Sequence, residues 1–326
     1  MVWYKSINFN SIDIFLLKMT KCIVFPGQGS QYLGMGKYLK ENFDVSRRVF
    51  EEVDSALNQN LSEIIFGEDV KKLNLTENTQ PAIMAVSIAT FEALKKEKDI
   101  NINDFNLCAG HSLGEYSALV ASEAIKLSDA AKILKKRGQA MQNAVPVGEG
   151  GMAAVLNMDI DSLEKFILEK NFQTVEISND NCPGQCVISG SKSEVDKIAI
   201  LLKEELKKKS ISLPVSAPFH CSMMKPAAEE LKNYMVGFKF SDPKIPLVSN
   251  VSAKAEHLSD EIKNLLIKCV FSRVKWRDTV GYFSNNKILE AVECGPGKAL
   301  TNMFKRFEFE IKCLKLDNVE DIRNYE

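Results

Sequence analysis

Residues 107–122 of the chain read LCAGHSLGEYSALVAS, an apolar run that meets a glycine, a serine and a second glycine before a helix-forming stretch. Small residues around Ser112 suit a sharp strand-to-helix turn, because the serine backbone is strained there. Such an elbow projects the serine oxygen at a helix N-terminus, which favours developing negative charge. The pattern therefore predicts Ser112 as a nucleophile, with an ordinary helix N-cap serine as the alternative.

Around this elbow, apolar strand patterns alternate with helical ones, which is typical of a parallel sheet covered on both faces. Over residues 145–215 the predicted order changes to βαββαβ, the split ferredoxin-like unit. We therefore predict an α/β protein with an α/β-hydrolase-like core, a parallel sheet and an inserted ferredoxin-like subdomain. The large domain would comprise residues 19–144 and 216–326, and the subdomain residues 145–215. Further predicted strands are residues 22–25, 210–215, 243–249 and 288–293.

Residues 1–18 precede the first predicted strand and have neither a signal-peptide cleavage site nor the arginine-rich pattern of a transit peptide. We interpret them as a disordered N-terminal extension, or as the result of a start site upstream of Met19. A signal or anchor is the alternative. No stretch approaches the roughly 18 apolar residues that a membrane span needs, so no membrane partner is expected.

The charge balance and the cysteines indicate which classes of partner and which cellular compartment to expect. The chain has 42 Lys and Arg against 43 Asp and Glu, a formal net charge of −1 that gives no general attraction to nucleic acid. Its eight cysteines lack the C-x-x-C spacing of a zinc or redox site, and there are only three histidines. We therefore predict no metal site, no nucleic-acid partner, and reduced thiols in a cytoplasmic protein, an organelle being the alternative compartment.

A serine nucleophile needs a general base, and three histidines are available. His111 adjoins Ser112, so the elbow turns its side chain elsewhere, and His257 lies in a stretch typical of an exposed turn. His220 follows an apolar strand predicted to end at Val215, and sites collect at strand ends. We predict His220 as the base. No carboxylate occupies an obvious triad position, so a backbone carbonyl is expected to hold the imidazole tautomer.

Electrostatic groups come from two other places in the sequence. The backbone N–H of Leu113 is an expected oxyanion donor because it follows the nucleophile, and the turn at residues 27–31 is a candidate for the second. Phosphate binding and an ordinary loop are the alternatives for that turn. Arg137 precedes a helical glycine. From its residues alone a surface arginine is the simpler interpretation, although a guanidinium suits a substrate carboxylate.

Motifs spread over residues 21–307 resemble the malonyl-coenzyme A:acyl carrier protein transacylases of bacterial-type fatty acid synthesis. They are FPGQGSQ (25–31), TQPA (79–82), GHSLGEYSALV (110–120), RGQAMQ (137–142), NCPGQCVISG (181–190), PFHCSMM (218–224), VSNVSA (248–253) and ECGPGKAL (293–300). The resemblance implies that Ser112 accepts the acyl group, with His220 as its base. It also implies an oxyanion hole from the N–H groups of Gln28 and Leu113, and Arg137 as the clamp for malonate's free carboxylate.

The same resemblance implies further site residues. Met141 and Phe219 would be pocket walls, and the main-chain carbonyl of Cys269 would orient the histidine. The family commonly has glutamine at position 269, and Arg273 stands where proline is usual. In related polyketide acyltransferases a phenylalanine at the position of Phe219 accompanies malonyl, because a bulky ring leaves less room for an α-methyl group.

The implied reaction takes malonyl from malonyl-coenzyme A to the phosphopantetheine thiol of an acyl carrier protein, with both as substrates and no cofactor. Because that carrier is acidic in the family, a basic docking surface is expected. Three alternatives stay open: a serine thioesterase or hydrolase, a trans-acting acyltransferase of a polyketide pathway, and a non-catalytic binding protein on the same fold. Candidate docking residues are Lys275, Arg277, Lys305 and Arg306.

Overall fold

The computed structural model describes residues 20–215 and 217–326, so the extension predicted at residues 1–18 lies outside the described part. The strands are β1 Lys21–Phe25, β2 Leu107–Gly110, β3 Gly150–Leu156, β4 Glu176–Cys182, β5 Gln185–Ser191, β6 Lys209–Ser212, β7 Leu247–Val248, β8 Ala255–Glu256, β9 Glu290–Cys294 and β10 Lys312–Leu316. The helices are α1 Lys37–Asn42, α2 Asp44–Leu57, α3 Leu61–Phe66, α4 Val70–Asn74, α5 Thr76–Lys98, α6 Gly114–Ala121, α7 Leu127–Asn143, α8 Ile160–Glu169, α9 Lys192–Leu206, α10 Lys225–Met235, α11 Ser259–Cys269, α12 Trp276–Asn285, α13 Ala299–Phe304 and α14 Val319–Arg323. None of these helices is long and apolar enough to cross a membrane.

The larger sheet carries the nucleophile. Its strand order is β10-β9-β1-β2-β7-β8, with parallel neighbours except for the edge pair β7 and β8. Every residue of β2 and β9 is buried, as expected for strands covered by helices on both faces. This sheet confirms the predicted α/β class. Because β2 is a central strand, the residue that follows it lies at the carboxyl edge of the sheet, where parallel sheets collect ligands.

The smaller sheet is antiparallel and follows the order β4-β5-β3-β6. With α8 and α9 it forms the βαββαβ unit, which confirms the second part of the predicted fold. Side chains of β3 alternate between its faces: Met152 and Ala154 join the large core, whereas Ala153 and Val155 pack with α8 and α9. The division into domains at residues 145 and 215 stays a prediction.

Several predicted elements differ from the structure. The predicted strand at 210–215 ends at Ser212, and the chain over Leu213–Val215 is not part of a strand. The predicted strand at 243–249 contracts to β7, because Pro243 and Pro246 have no N–H to donate to a ladder. The sequence did not predict β10, an edge strand in which two of the five residues, Lys312 and Lys315, are lysines.

A short segment after α11 joins the two sheets. Val274 N–H donates to the Ser178 carbonyl at 2.8 Å, and Asp180 N–H donates to the Val274 carbonyl at 2.9 Å. Arg273 Nε donates to the Ile177 carbonyl at 3.2 Å. These bonds tie residues 270–275 to β4, which fixes the end of α11 beside the large sheet. Arg273, at a position where the resemblance led us to expect proline, therefore has a structural partner.

Candidate active site

The elbow follows β2 and opens α6. Ser112 has a φ of +54°, a left-handed conformation that costs a non-glycine residue of order 1–3 kcal/mol and persists only where the surroundings impose it. Gly110 and Gly114, on either side of Ser112, have no room for a Cβ atom. A Cβ on Gly110 would lie 1.8 Å from the Gly114 carbonyl carbon, and one on Gly114 would lie 2.3 Å from the Phe25 carbonyl oxygen. The strand, the turn and the helix are therefore packed too closely for larger residues.

His220 lies against the nucleophile. Ser112 Oγ is 2.8 Å from His220 Nε2, and His220 Nδ1 is 2.6 Å from the Cys269 carbonyl oxygen. A carbonyl only accepts, so Nδ1 carries the hydrogen and Nε2 offers a lone pair to the serine hydroxyl. Burial lowers the pKa of His220 to about 3, with a second contribution from the positive charge of Arg137. The imidazole is therefore neutral at pH 7 and able to accept a proton.

Arg137 is buried beside the same hydroxyl, and the surface interpretation of this residue is wrong. Only 1% of it is exposed, and Nη2 donates to Ser112 Oγ at 3.1 Å. Nη1 donates to Gln80 Oε1 at 2.8 Å. Gly138 allows this burial, because a Cβ there would lie 2.5 Å from the Glu77 Cα. In this arrangement the guanidinium points at the reacting oxygen and has no carboxylate within its hydrogen-bonded contacts.

These groups line a cavity of about 200 Å³. Gln28 and Leu113 lie on its wall, and neither main-chain N–H donates a hydrogen bond to another described residue. The Gly27 turn packs on the elbow, since a Cβ there would lie 2.6 Å from the His111 carbonyl oxygen. The remaining lining residues that the sequence singled out are Met141 and Phe219. The two unpaired N–H groups thus border the space beside Ser112.

The other two histidines lie elsewhere. His111 turns away from the hydroxyl, and its Nε2 lies 2.9 Å from Asn181 Oδ1 on β4, which links the elbow to the small sheet. Burial lowers the pKa of His111. His257 is exposed before α11. Over residues 20–215 and 217–326, no group of three or more His, Cys, Asp or Glu side chains is arranged to hold a metal ion.

Sequence reasoning did not single out Gln80, Asn250 or Glu115. Gln80 holds Arg137 from a helix in which other polar side chains, among them Thr79 and Thr90, are buried too, so its residue type alone gave no signal. Asn250 Oδ1 accepts from Ser112 N–H at 2.7 Å, and its Nδ2 donates to the Gly110 carbonyl at 2.7 Å. Glu115 Oε1 accepts from Asn250 N–H at 2.8 Å. All three are at most 1% exposed, which is unusual for such side chains.

The sequence and the fold were compared with known proteins. Residues 22–294 match the family described as the acyl transferase domain. The chain is 42% identical over 301 residues to the malonyl CoA-acyl carrier protein transacylase of Bacillus subtilis, covering 92% of this chain and 94% of that one. It is 37% identical over 306 residues to the protein of the same name from Staphylococcus aureus, covering 93% and 97%.

Solved structures give the same result. The acyl-carrier-protein-S-malonyltransferase of Bartonella henselae superposes with a TM-score of 0.88 at 42% identity, covering 93% of this chain and 97% of that one. A malonyl-transacylase in complex with a type II PKS acyl-carrier protein superposes with a TM-score of 0.89 at 34% identity, covering 93% and 97%.

Proposed function

The chain belongs to the acyl transferase domain family, and from that membership we propose that it transfers malonyl from malonyl-coenzyme A to the phosphopantetheine thiol of an acyl carrier protein. Relatives that share 37–42% of its sequence over most of both chains carry that activity in their names. The reaction passes through a malonyl ester on Ser112 and supplies extender units for fatty acid synthesis.

One observation carries the proposal: a buried guanidinium and a neutral imidazole meet at the same serine hydroxyl. His220 Nε2 is 2.8 Å from Ser112 Oγ and Arg137 Nη2 is 3.1 Å from it. A hydrolase of simple esters needs the first contact but gains nothing from a buried cation beside the nucleophile. An acyl group with its own carboxylate does gain, since an arginine binds it through charge-assisted hydrogen bonds.

In the first half-reaction, His220 Nε2 takes the Ser112 proton while Oγ attacks the malonyl thioester carbonyl. The resulting oxyanion accepts hydrogen bonds from the main-chain N–H groups of Gln28 and Leu113, each worth on the order of 3 kcal/mol. The C–S bond then breaks, and the coenzyme A thiolate leaves with the proton from His220. Arg137 holds the free carboxylate, which keeps the reacting carbonyl over Oγ.

The second half-reaction reverses these steps with a different thiol. The carrier's phosphopantetheine thiol gives its proton to His220 and attacks the malonyl ester. The C–O bond breaks and Ser112 Oγ regains the proton from the imidazole. The cavity wall formed by Met141 and Phe219 encloses the malonyl group, and the Phe219 ring leaves little room for an α-methyl substituent.

A malonyl adduct tests the proposal directly. The protein is mixed with malonyl-coenzyme A alone, and its intact mass and the free malonate are followed. A stoichiometric adduct on Ser112 that persists, and that holo acyl carrier protein then discharges, is the expected result. Rapid release of malonate would support the thioesterase alternative, and a Ser112→Ala variant with unchanged turnover would support the non-catalytic one.

The carrier is proposed to be that of fatty acid synthesis, with a polyketide carrier as the alternative. Comparison of kcat/KM for the two purified holo carriers separates these two possibilities.

We propose that the carrier docks at exposed Lys305 and Arg306, which follow Met303 on the cavity wall. Charge reversal at both positions should raise the carrier's KM at low salt, while KM for malonyl-coenzyme A stays constant. An unchanged carrier KM would place docking elsewhere.

The reaction is further proposed to need no cofactor, since the thiolate leaves readily and the proton transfers are served by His220. Full activity after exhaustive dialysis against a chelator is expected, and loss of activity would contradict this.

We propose that the enzyme, with its eight free cysteines, works in the cytoplasm, with an organelle as the alternative compartment. Fractionation of cells that express the full chain, beside a version beginning at Met19, distinguishes the two.

A further inference from the structure

Asn250 is bonded to both sides of the nucleophile elbow. Its Oδ1 accepts from the Ser112 N–H and its Nδ2 donates to the Gly110 carbonyl, both at 2.7 Å. Asn250 follows β7, the strand next to β2, and is fully buried. One carboxamide thus satisfies the two peptide groups that precede Ser112 Cα. Those peptide groups set the left-handed conformation of Ser112, and therefore the direction of its Oγ.

The main chain of Asn250 has two further partners. Its N–H donates to Glu115 Oε1 at 2.8 Å, in the first turn of α6. Its carbonyl accepts from the Lys275 N–H at 2.9 Å, in the segment that follows α11. That segment begins at the end of α11, where the Cys269 carbonyl holds His220. A single residue therefore contacts the segment of the nucleophile and the segment that orients its base.

We propose that Asn250 is a positioning residue that fixes Ser112 Oγ against His220 Nε2 by holding the elbow from beneath. It touches neither the acyl group nor the thiol, and it acts through the conformation of Ser112. The inference rests on the proposed function only in taking malonyl-coenzyme A as the acyl donor that reacts with Ser112. An elbow without this carboxamide loses the hydrogen bonds that impose a positive φ on Ser112, so the hydroxyl samples directions away from the imidazole.

The test uses the full chain and the variants Asn250→Leu and Asn250→Asp. Leucine has a similar size and makes neither side-chain bond, whereas aspartate keeps the acceptor for Ser112 N–H and loses the donor to Gly110. Ser46→Ala is the matched control, because it removes a buried hydrogen bond to the Ala89 carbonyl in another part of the core. Acylation of Ser112 by malonyl-coenzyme A is measured in single turnovers, with the substrate Kd from the concentration dependence. Sulfonylation by phenylmethylsulfonyl fluoride is measured beside it.

For Asn250→Leu we expect both the acylation and the sulfonylation rate constants to fall about 100-fold, with the Kd for malonyl-coenzyme A within about 3-fold of the wild type. Asn250→Asp should lose less, about 10-fold, because it keeps one of the two bonds. Ser46→Ala should keep both rate constants even if its melting temperature falls. A role in stability alone would not separate rate from Kd in this way.

Rate constants within about 3-fold of the wild type in Asn250→Leu, or a loss confined to Kd, would overturn the proposal. If the leucine variant does not fold, the aspartate variant decides by the same criteria. Sulfonylation needs no acyl donor, so it separates two failures. A wild-type protein that is not acylated by malonyl-coenzyme A would contradict the proposed function. Equal sulfonylation rates in the wild type and Asn250→Leu would contradict the role of Asn250.

Discussion

At the scale of single residues, the Ser112 hydroxyl lies between a base and a cation that affect each other. Burial lowers the pKa of His220 to about 3, and the charge of the Arg137 guanidinium contributes to the lowering. A bound malonyl carboxylate would offset the charge of Arg137 and so raise the proton affinity of His220. The substrate therefore strengthens the base that acts on it, which an acetyl group cannot do.

Replacement of Arg137 by alanine should separate charged from neutral acyl groups. We expect kcat/KM for malonyl-coenzyme A to fall roughly 100-fold or more, because a buried charge partner of the carboxylate is lost. Transfer of acetyl from acetyl-coenzyme A should be unchanged or should rise. Lys136→Ala, which removes the neighbouring cation paired with Glu230, is the control and should keep both activities. If malonyl transfer in Arg137→Ala stays at the wild-type level and acetyl transfer does not rise, Arg137 is not the clamp.

The lowered pKa of His220 predicts the pH dependence of Ser112 reactivity. A histidine at its usual pKa would lose activity as the pH falls through about 6.5. With its pKa near 3, His220 stays neutral, so sulfonylation of Ser112 should show no acid limb at 6.5 and should persist to about pH 5. Because Arg137 contributes to the lowering, Arg137→Ala should move the limb upward, towards neutral pH. A wild-type limb centred at 6.5 would contradict the lowered pKa of His220.

Which site residues could be predicted follows from the range of their contacts. Ser112 and Leu113, whose N–H is the proposed oxyanion donor, belong to one local motif, so a turn pattern finds them. Gln80 and Asn250 act on partners 57 and 138 residues away, Arg137 and Ser112 respectively. Nothing local marks such a contact, because it exists only once α5, α7, β2 and β7 are packed. Arg137 had the same difficulty, and only the family resemblance corrected its interpretation.

At the scale of elements, the strand–turn–helix joint limits which residues the elbow tolerates. Gly114→Ala places a Cβ 2.3 Å from the Phe25 carbonyl oxygen of β1, and the main chain must move. We expect a loss of about 2 kcal/mol or more in the free energy of unfolding, measured by urea denaturation. Gly281→Ala in α12 is the control. A Cβ there meets nothing within 4 Å, so the substitution should stabilise by about 0.5–1 kcal/mol. Equal effects would show that close packing does not select glycine at the elbow.

The elements that the sequence predicted are those with local signals. β1 and β2 are short apolar runs that end in turn residues, and both appear where expected. The strand β10 pairs with β9 at the sheet edge, and two of its five residues are lysines, so no apolar run marked it. For Leu213–Val215 the apolar run was present and β3 continues beside it, since the Leu213 N–H still donates to the Met152 carbonyl at 2.9 Å. The strand ends there because Pro214 has no N–H to extend the ladder. For β10, the presence of a partner strand is decided by tertiary packing, which the sequence pattern does not contain.

At the scale of the whole molecule, the small sheet contributes one face to the large core. Val187 of β5 joins Met152 and Ala154 there, while Ile188 packs with α8 and α9 on the other face. Bonds between β4 and the segment after α11 add to this attachment. The cavity therefore has walls from both sheets, and its shape depends on their remaining together.

We expect the two sheets to unfold together, because the shared core would be exposed by the loss of either. The chain has two tryptophans, so Trp3→Phe leaves buried Trp276 as the reporter of the large sheet. Its fluorescence and the far-ultraviolet circular dichroism should give coincident transitions in urea. Two separate transitions would instead support independent folding of residues 145–215.

Buried Glu115 should make the stability of the molecule depend on pH. Burial raises its pKa to about 7, against the opposing effects of the Asn250 N–H and the Arg137 charge. The native state then keeps a proton that the unfolded state has lost, so this contribution declines as the pH rises from about 4.5 to about 7. Glu115→Gln removes the titration and keeps an oxygen for Asn250. The wild type should lose about 2.5 kcal/mol relative to that variant between pH 5 and 8. A difference independent of pH would contradict the raised pKa.

The partner that orients His220 is the main-chain carbonyl of Cys269, and every one of the twenty amino acids supplies that atom. A change of side chain at this position therefore leaves the orienting atom in place. A mutational survey that replaces one side chain at a time would detect Ser112 and His220. It would overlook the Cys269 carbonyl, because no amino-acid substitution removes a main-chain carbonyl. The position of this carbonyl is determined by the fold around the end of α11 and not by the identity of any one side chain.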